Sequence, residues 1–244
     1  MNLFAEALAW LFSPDRLGGS SPIPLRLGEH VFYTFIAVVI AALIAIPIGY
    51  LIGHTGRGRE IAVGLSGAAR ALPSFGLIIL LVLLIGVLLT PAAALIAFVI
   101  LGIPSILAGA YAGIEAIDRR TIDAARAVGM TEWQILFKVE IPLGLPLLIA
   151  GLRAATLQVV ATVTLAAYVG LGGLGIYIIS GLALRRFDQM LGAALLIAAL
   201  ALVLDVLFAV LQRVVVPRGV EAGRATDVRT RSSRSRAAAE VSAP

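Results

Sequence analysis

Between Thr121 and Pro142 the chain carries residues able to hold a partner. Asp118 is placed to cap a helix running to Val128. Gly129 follows, where a left-handed residue would end that helix. Thr131 and Gln134 have the T-x-x-Q spacing of a capping box, which opens a second helix. Asp123, Ala124 and Ala125 fall on the first helix, and Met130 and Thr131 at the tip of the bend. The chemistry on offer is recognition, not covalent catalysis. On spacing alone two readings stand: an amphipathic connector at a membrane surface, or a handle for a soluble partner. Asp123 is likewise either a docking group or a carboxylate favoured near a helix N-terminus.

Other chemistries are excluded. The chain has no cysteine, which removes disulfide, zinc–thiolate, iron–sulfur and thiol-nucleophile sites. His30 and His54 are far apart and too few for a metal site, and no cofactor is implied. No G-x-x-x-x-G-K-[ST] phosphate loop occurs, so the chain does not hydrolyse ATP by that chemistry. Gly170, Gly172, Gly173 and Gly175 match G-x-G-x-x-G. A dinucleotide site needs a strand before that motif; here an apolar helix precedes it, and a flexible turn is expected.

Polar residues inside apolar segments are a second group. Pro73-Ser74, preceded by Arg70, breaks a span at depth, either to line a pathway or as a packing kink. Gln158 and Thr162 share one helix face; Arg153, Thr156 and Thr164 share another. One stripe lines a pore and the other joins helices, in an order the spacing does not decide. Asp205 is an intramembrane carboxylate, paired with Arg153 or Arg70 or sited in the pathway.

These residues need apolar elements to position them. Hydrophobic residues make up 60% of the 244 and charged ones 14%, against about 45–50% and about 25% in soluble domains. The expected architecture is an all-α integral membrane protein with five transmembrane helices: Val31 to Ile52, Ile61 to Leu89, Ala92 to Gly113, Leu143 to Val169 and Gln189 to Gln212. Thr90-Pro91 separates the second from the third. Thirteen of the 19 basic residues fall on the side holding the polar island and the carboxyl terminus. That side is expected in the cytoplasm and the amino terminus outside. Arg185-Arg186 violates the pattern locally. The net charge of +5 lies mostly in a carboxyl-terminal arginine tail, which points to membrane lipid rather than nucleic acid. Residues 1–28 are expected to form an external interfacial segment, with Leu3, Phe4, Leu8, Leu11 and Phe12 on a short helix. Residues 29–217 form the transmembrane domain, and 218–244 a disordered basic tail.

Asp123-Ala124-Ala125, Gly129 and Val139-Glu140-Ile141-Pro142 resemble the EAA loop of ABC importer permeases, Glu-Ala-Ala-x3-Gly-x9-Ile-x-Leu-Pro. The departures are conservative: Asp for Glu at 123, Val for Ile at 139 and Ile for Leu at 141. The resemblance covers about Val31 to Val216 and implies a MetI-like permease fold. It makes the island a coupling helix that docks on separate ABC ATPase subunits. It also implies a second permease subunit, identical or related, and an external substrate-binding protein at a bacterial inner membrane. Asp123 would accept a charge-assisted hydrogen bond of about 1.5–3 kcal/mol. Thr164-Leu165-Ala166-Ala167-Tyr168 through Gly175, with Ile149 to Thr156, resembles glycine betaine/choline/carnitine permeases. That implies a quaternary-ammonium osmoprotectant, with an amino acid such as methionine as the alternative. Pro73, Ser74, Gln158, Thr162, Thr164 and Tyr168 are the pathway candidates. Two other classes stay open. An ion-coupled secondary transporter using Asp205 would leave the island without a use. A scaffold without transport would make the intramembrane polar groups dispensable.

Overall fold

A computed structural model of the chain describes residues 2–215. The tail expected to be disordered lies outside the described residues. The regular elements described are all helical, and four are long and apolar enough to cross a membrane: Ile23–Thr55, Val87–Glu115, Glu132–Val169 and Phe187–Val215.

The amino-terminal helix α1 (Leu3–Leu11) is present, with its apolar residues divided between two faces. Leu3, Phe4, Leu8 and Phe12 are exposed, while Ala7 and Trp10 are buried. Those two dock on the last helix at Gly192, where an added Cβ would stand 2.6 Å from the Trp10 ring. Trp10 also meets Tyr177 edge-on at 5.2 Å. After the short α2 (Pro14–Gly18), α3 (Ile23–Thr55) begins well before the uncharged run it contains. Pro24 sits in its first turn, where a missing N–H is harmless. Arg26 and Glu29 lie one turn apart and pair at 2.9 Å. A boundary at 28/29 therefore falls inside a continuous helix.

The second span is not straight. Helices α4 (Arg59–Ala71) and α5 (Ser74–Ile85) meet at 91°. Pro73 has no N–H to continue α4 and pushes Leu72 into extended backbone, φ −68° and ψ 130°. The 12 residues of α5 reach only about 18 Å, short of a hydrocarbon core of about 30 Å. The fifth crossing thus exists only as a bent pair.

Helix α6 (Thr90–Glu115) starts at the expected Thr90-Pro91. With α3 and α9 (Ile141–Ala166) it forms the core, lined by Ala37, Ala41, Ala45, Ala97, Ala110 and Ala155. Small residues matter because lipid supplies no hydrophobic drive between helices, so close packing must hold them. An added Cβ at Gly113 would lie 2.6 Å from the Gly144 carbonyl oxygen, and one at Gly109 the same distance from that of Leu147. Beyond α9, α10 (Gly175–Ala183) turns back and α11 (Phe187–Val215) packs against α1, α9 and α10. Asp205 of α11 is paired with Arg153 of α9 through two hydrogen bonds, one of 2.6 Å. Arg70 instead reaches the Pro104 carbonyl at 3.5 Å.

Candidate functional site: a capped helical hairpin

The polar island folds as a hairpin with its own small core. Helix α7 (Arg119–Ala127) is capped by Asp118, whose carboxylate accepts from the Arg120 N–H at 2.9 Å. The helix ends in a Schellman motif. The Met130 N–H donates to Ala125 O at 3.2 Å and the Gly129 N–H to Arg126 O at 2.9 Å. Gly129 takes φ +86°, as a left-handed C′ residue must. Open space surrounds the position a Cβ would take, so its constraint is backbone conformation alone. Thr131 and Gln134 make both bonds of the capping box, opening α8 (Glu132–Ile135).

The second half departs from expectation. Helix α8 is not separate from the span expected from Leu143 to Val169. It runs through a π turn, Leu136–Glu140, straight into α9. The physical reason lies in Pro142, which has no N–H for an ordinary i→i−4 bond. The Ile141 N–H reaches back to Leu136 O, one residue further, and the helix passes the gap unbroken.

The hairpin sorts its residues by face. Ile122, Ala125 and Ile135 are buried together, with Met130 and Val139 partly buried against them. Asp123, Ala124, Gly129 and Thr131 are exposed. Ala125 is therefore small to suit its own chain's packing, and only Ala124 is free to let a neighbour approach. Val128, 78% exposed, adds an apolar group at the tip that sequence reasoning missed. Arg126 grips Glu132 with two hydrogen bonds of 2.8 and 3.1 Å and lies 3.7 Å from Asp123.

Sequence reasoning also missed two residues beside the hairpin. His54 Nδ1 lies 2.5 Å from Oε2 of Glu140, which is buried. They are 86 positions apart, so no spacing rule could pair them. The one available signal is a carboxylate at the open position of Val139-x-Ile141-Pro142. Nearby, Arg59 and Glu115 pair at 3.1 Å, so the loops after α3 and α6 lie at one end of the bundle.

The pathway candidates divide. Pro73 is exposed and Ser74 half-buried at the bend. Phe75 meets Tyr168 edge-on at 5.1 Å, which brings the bend and Tyr168 together. Gln158 is exposed, whereas Thr162 is buried. The hydroxyls of Thr156, Thr162 and Thr164 donate to Leu152, Gln158 and Val160 carbonyls on their own helix. These hydroxyl bonds link no helix to another.

The glycine-rich turn is clamped, not loose. Glu29 accepts from the Gly173 N–H at 2.8 Å, and His30 Nδ1 from the Leu174 N–H at 3.3 Å. The other His30 nitrogen meets Val160 O at 3.1 Å and must donate to it. Gly172, at φ +94°, leaves no room for a Cβ, which would lie 2.6 Å from Glu29. Gly170 also has positive φ, and Gly175 is buried against Thr164. Glu29 occupies the Gly173 N–H that a dinucleotide phosphate would need.

Residues 45–219 match the family described as binding-protein-dependent transport system inner membrane component. The chain is 33% identical over 196 residues to the glycine betaine/carnitine/choline transport system permease protein of Bacillus subtilis (strain 168), covering 80% of this chain and 89% of that one. It is 34% identical over 198 residues to an osmoprotectant import permease protein of Salmonella typhimurium, covering 79% and 91%. Its fold matches an inward-facing structure of a methionine ABC transporter, with TM-score 0.70 at 20% identity, covering 80% and 96%. With the helical fold, the hairpin and the matched length in agreement, the chain belongs to the binding-protein-dependent transport system inner membrane components and is an ABC importer permease subunit, not an enzyme.

Proposed function

We propose that this subunit forms half of a translocation pathway for a quaternary-ammonium osmoprotectant such as glycine betaine, choline or carnitine. The observation that carries the reading is the similarity above 30%, over most of the chain, to permeases named for those compounds. The likeness to a methionine transporter speaks only for fold. Asp205 is tied to Arg153, which weighs against an ion-coupled site there. Separate ATPase subunits dock on the hairpin at Asp123, Ala124, Gly129, Met130 and Thr131. A second permease completes the two-fold pore, and an external binding protein delivers substrate. ATP binding closes the ATPases, which moves the hairpin and switches access. The amino terminus faces outside and the carboxyl terminus the cytoplasm, as the basic residues at the hairpin end indicate.

The test is uptake by vesicles holding the complete transporter, with labelled glycine betaine, choline, carnitine and methionine compared. Uptake of one of the first three, and none of methionine, is expected; the reverse would refute the substrate reading. Gly129→Val is expected to leave the subunit in the membrane and abolish ATP-driven uptake. A variant that transports normally would refute the coupling reading.

A further inference from the structure

The hairpin is joined by the chain to α6 at one end and to α9 at the other. No covalent connection joins it to α3, but one side chain does. His54 stands one residue from the end of α3, and its Nδ1 lies 2.5 Å from Glu140 Oε2. Its Nε2 faces Glu132 Oε2 at 3.6 Å. Glu132 is gripped by Arg126, and Arg126 approaches Asp123. A line of ionisable side chains in contact therefore runs from Asp123, exposed on α7, to Glu140, buried beneath it.

Glu140 occupies a special piece of backbone. It closes the π turn through which α8 becomes α9, and such turns are where a helix changes register at functional sites. Among the described residues the hydrogen bond of its carboxylate is to His54. A cleft of about 550 Å³ between α3 and α8, walled by Tyr50, Leu51, Trp133 and Phe137, leaves space beside the pair. On its other side α3 has no slack. An added Cβ at Gly53 would lie 2.8 Å from Ile114 Cβ and 3.0 Å from Tyr111 O of α6. Close-packed contacts transmit displacement rather than absorb it.

We propose that His54 is a positioning residue of the coupling step. Through Glu140 it ties the π turn to α3, so that a displacement of the hairpin carries α3 along with α9. The proposal rests on the coupling reading given above. His54 touches no substrate; it acts through Glu140.

The test uses the complete transporter in lipid vesicles, with His54→Ala, His54→Gln and His54→Asn in this subunit. The side-chain nitrogen of asparagine stands where Nδ1 stands, and that of glutamine where Nε2 stands. ATP hydrolysis is measured together with labelled glycine betaine, choline and carnitine taken up per ATP. His54→Asn is expected to keep that ratio within about twofold of the unmodified protein, whereas His54→Gln and His54→Ala lower it at least about threefold while hydrolysis continues. An unchanged ratio in His54→Gln and His54→Ala overturns the proposal. Equal loss in all three also overturns it, because a merely structural defect would not spare asparagine. Should Gly129→Val also keep the ratio, the coupling reading itself has failed; should Gly129→Val alone lower it, only the role of His54 has.

Discussion

Arg185 is the one residue other than glycine with positive φ among those described, at 54°. It ends α10 in the same motif that Gly129 makes for α7. The Arg186 N–H donates to Gly181 O at 2.8 Å, and the Arg185 N–H to Leu182 O at 3.3 Å. Arg186 then pairs with Asp188 at 3.1 Å. The dipeptide that broke the charge pattern thus has a local structural use. A Cβ in left-handed backbone costs about 1–2 kcal/mol. Arg185→Gly is expected to recover about 1 kcal/mol and raise Tm by roughly 2–4 °C in detergent; an unchanged or lower Tm would show that the arginine side chain outweighs its backbone cost. The same reasoning separates two changes at Gly129. Asparagine tolerates left-handed backbone where valine does not, and open space surrounds the site. Gly129→Asn should therefore retain most of the uptake that Gly129→Val loses.

At the scale of elements, the contact between α6 and α9 is made by glycines with backbone atoms as neighbours. A Cβ on Gly151 would lie 2.6 Å from Ser105 O, and no rotamer change relieves a clash with backbone. Gly151→Leu is expected to destabilise the subunit by at least about 1–3 kcal/mol, whereas Gly67→Leu, in open space, should not. Thermal unfolding of the two variants measures the difference; equal Tm values would mean the helices separate freely. The elements also show what was legible beforehand. Caps and bends at Asp118, Gly129 and Thr131 were readable because each uses bonds within two to five residues along the chain. The continuous passage of α8 into α9 was not, because helix breaking is the usual result of a proline and its rescue depends on a π turn. Likewise the break at Pro73 was readable, but its 91° angle was not, since a freed backbone takes whatever direction its neighbours allow.

At the scale of the molecule, α5 and the turn after it present Leu80, Leu83, Leu84 and Val87 to the outside, with Leu88 98% exposed. Lipid or a second permease would cover this face. The natural chain has no cysteine, so Leu84→Cys introduces a single thiol. Disulfide cross-linking between two permease copies in the membrane is expected if the pore is a homodimer and this face lies on its axis; a monomeric band alone would count against that arrangement. The sequence by itself determined the class of the protein. Apolar length, the side on which arginines cluster and the hairpin capping signals are all local properties of the chain, and they survive without tertiary contacts. Tertiary structure alone decided which residues work together. It turned Ala125 inward, tied Asp205 to Arg153, clamped the glycine turn with Glu29 and His30, and brought His54 to Glu140. Each of these joins residues through side-chain direction and helix packing, and no one-dimensional spacing encodes either.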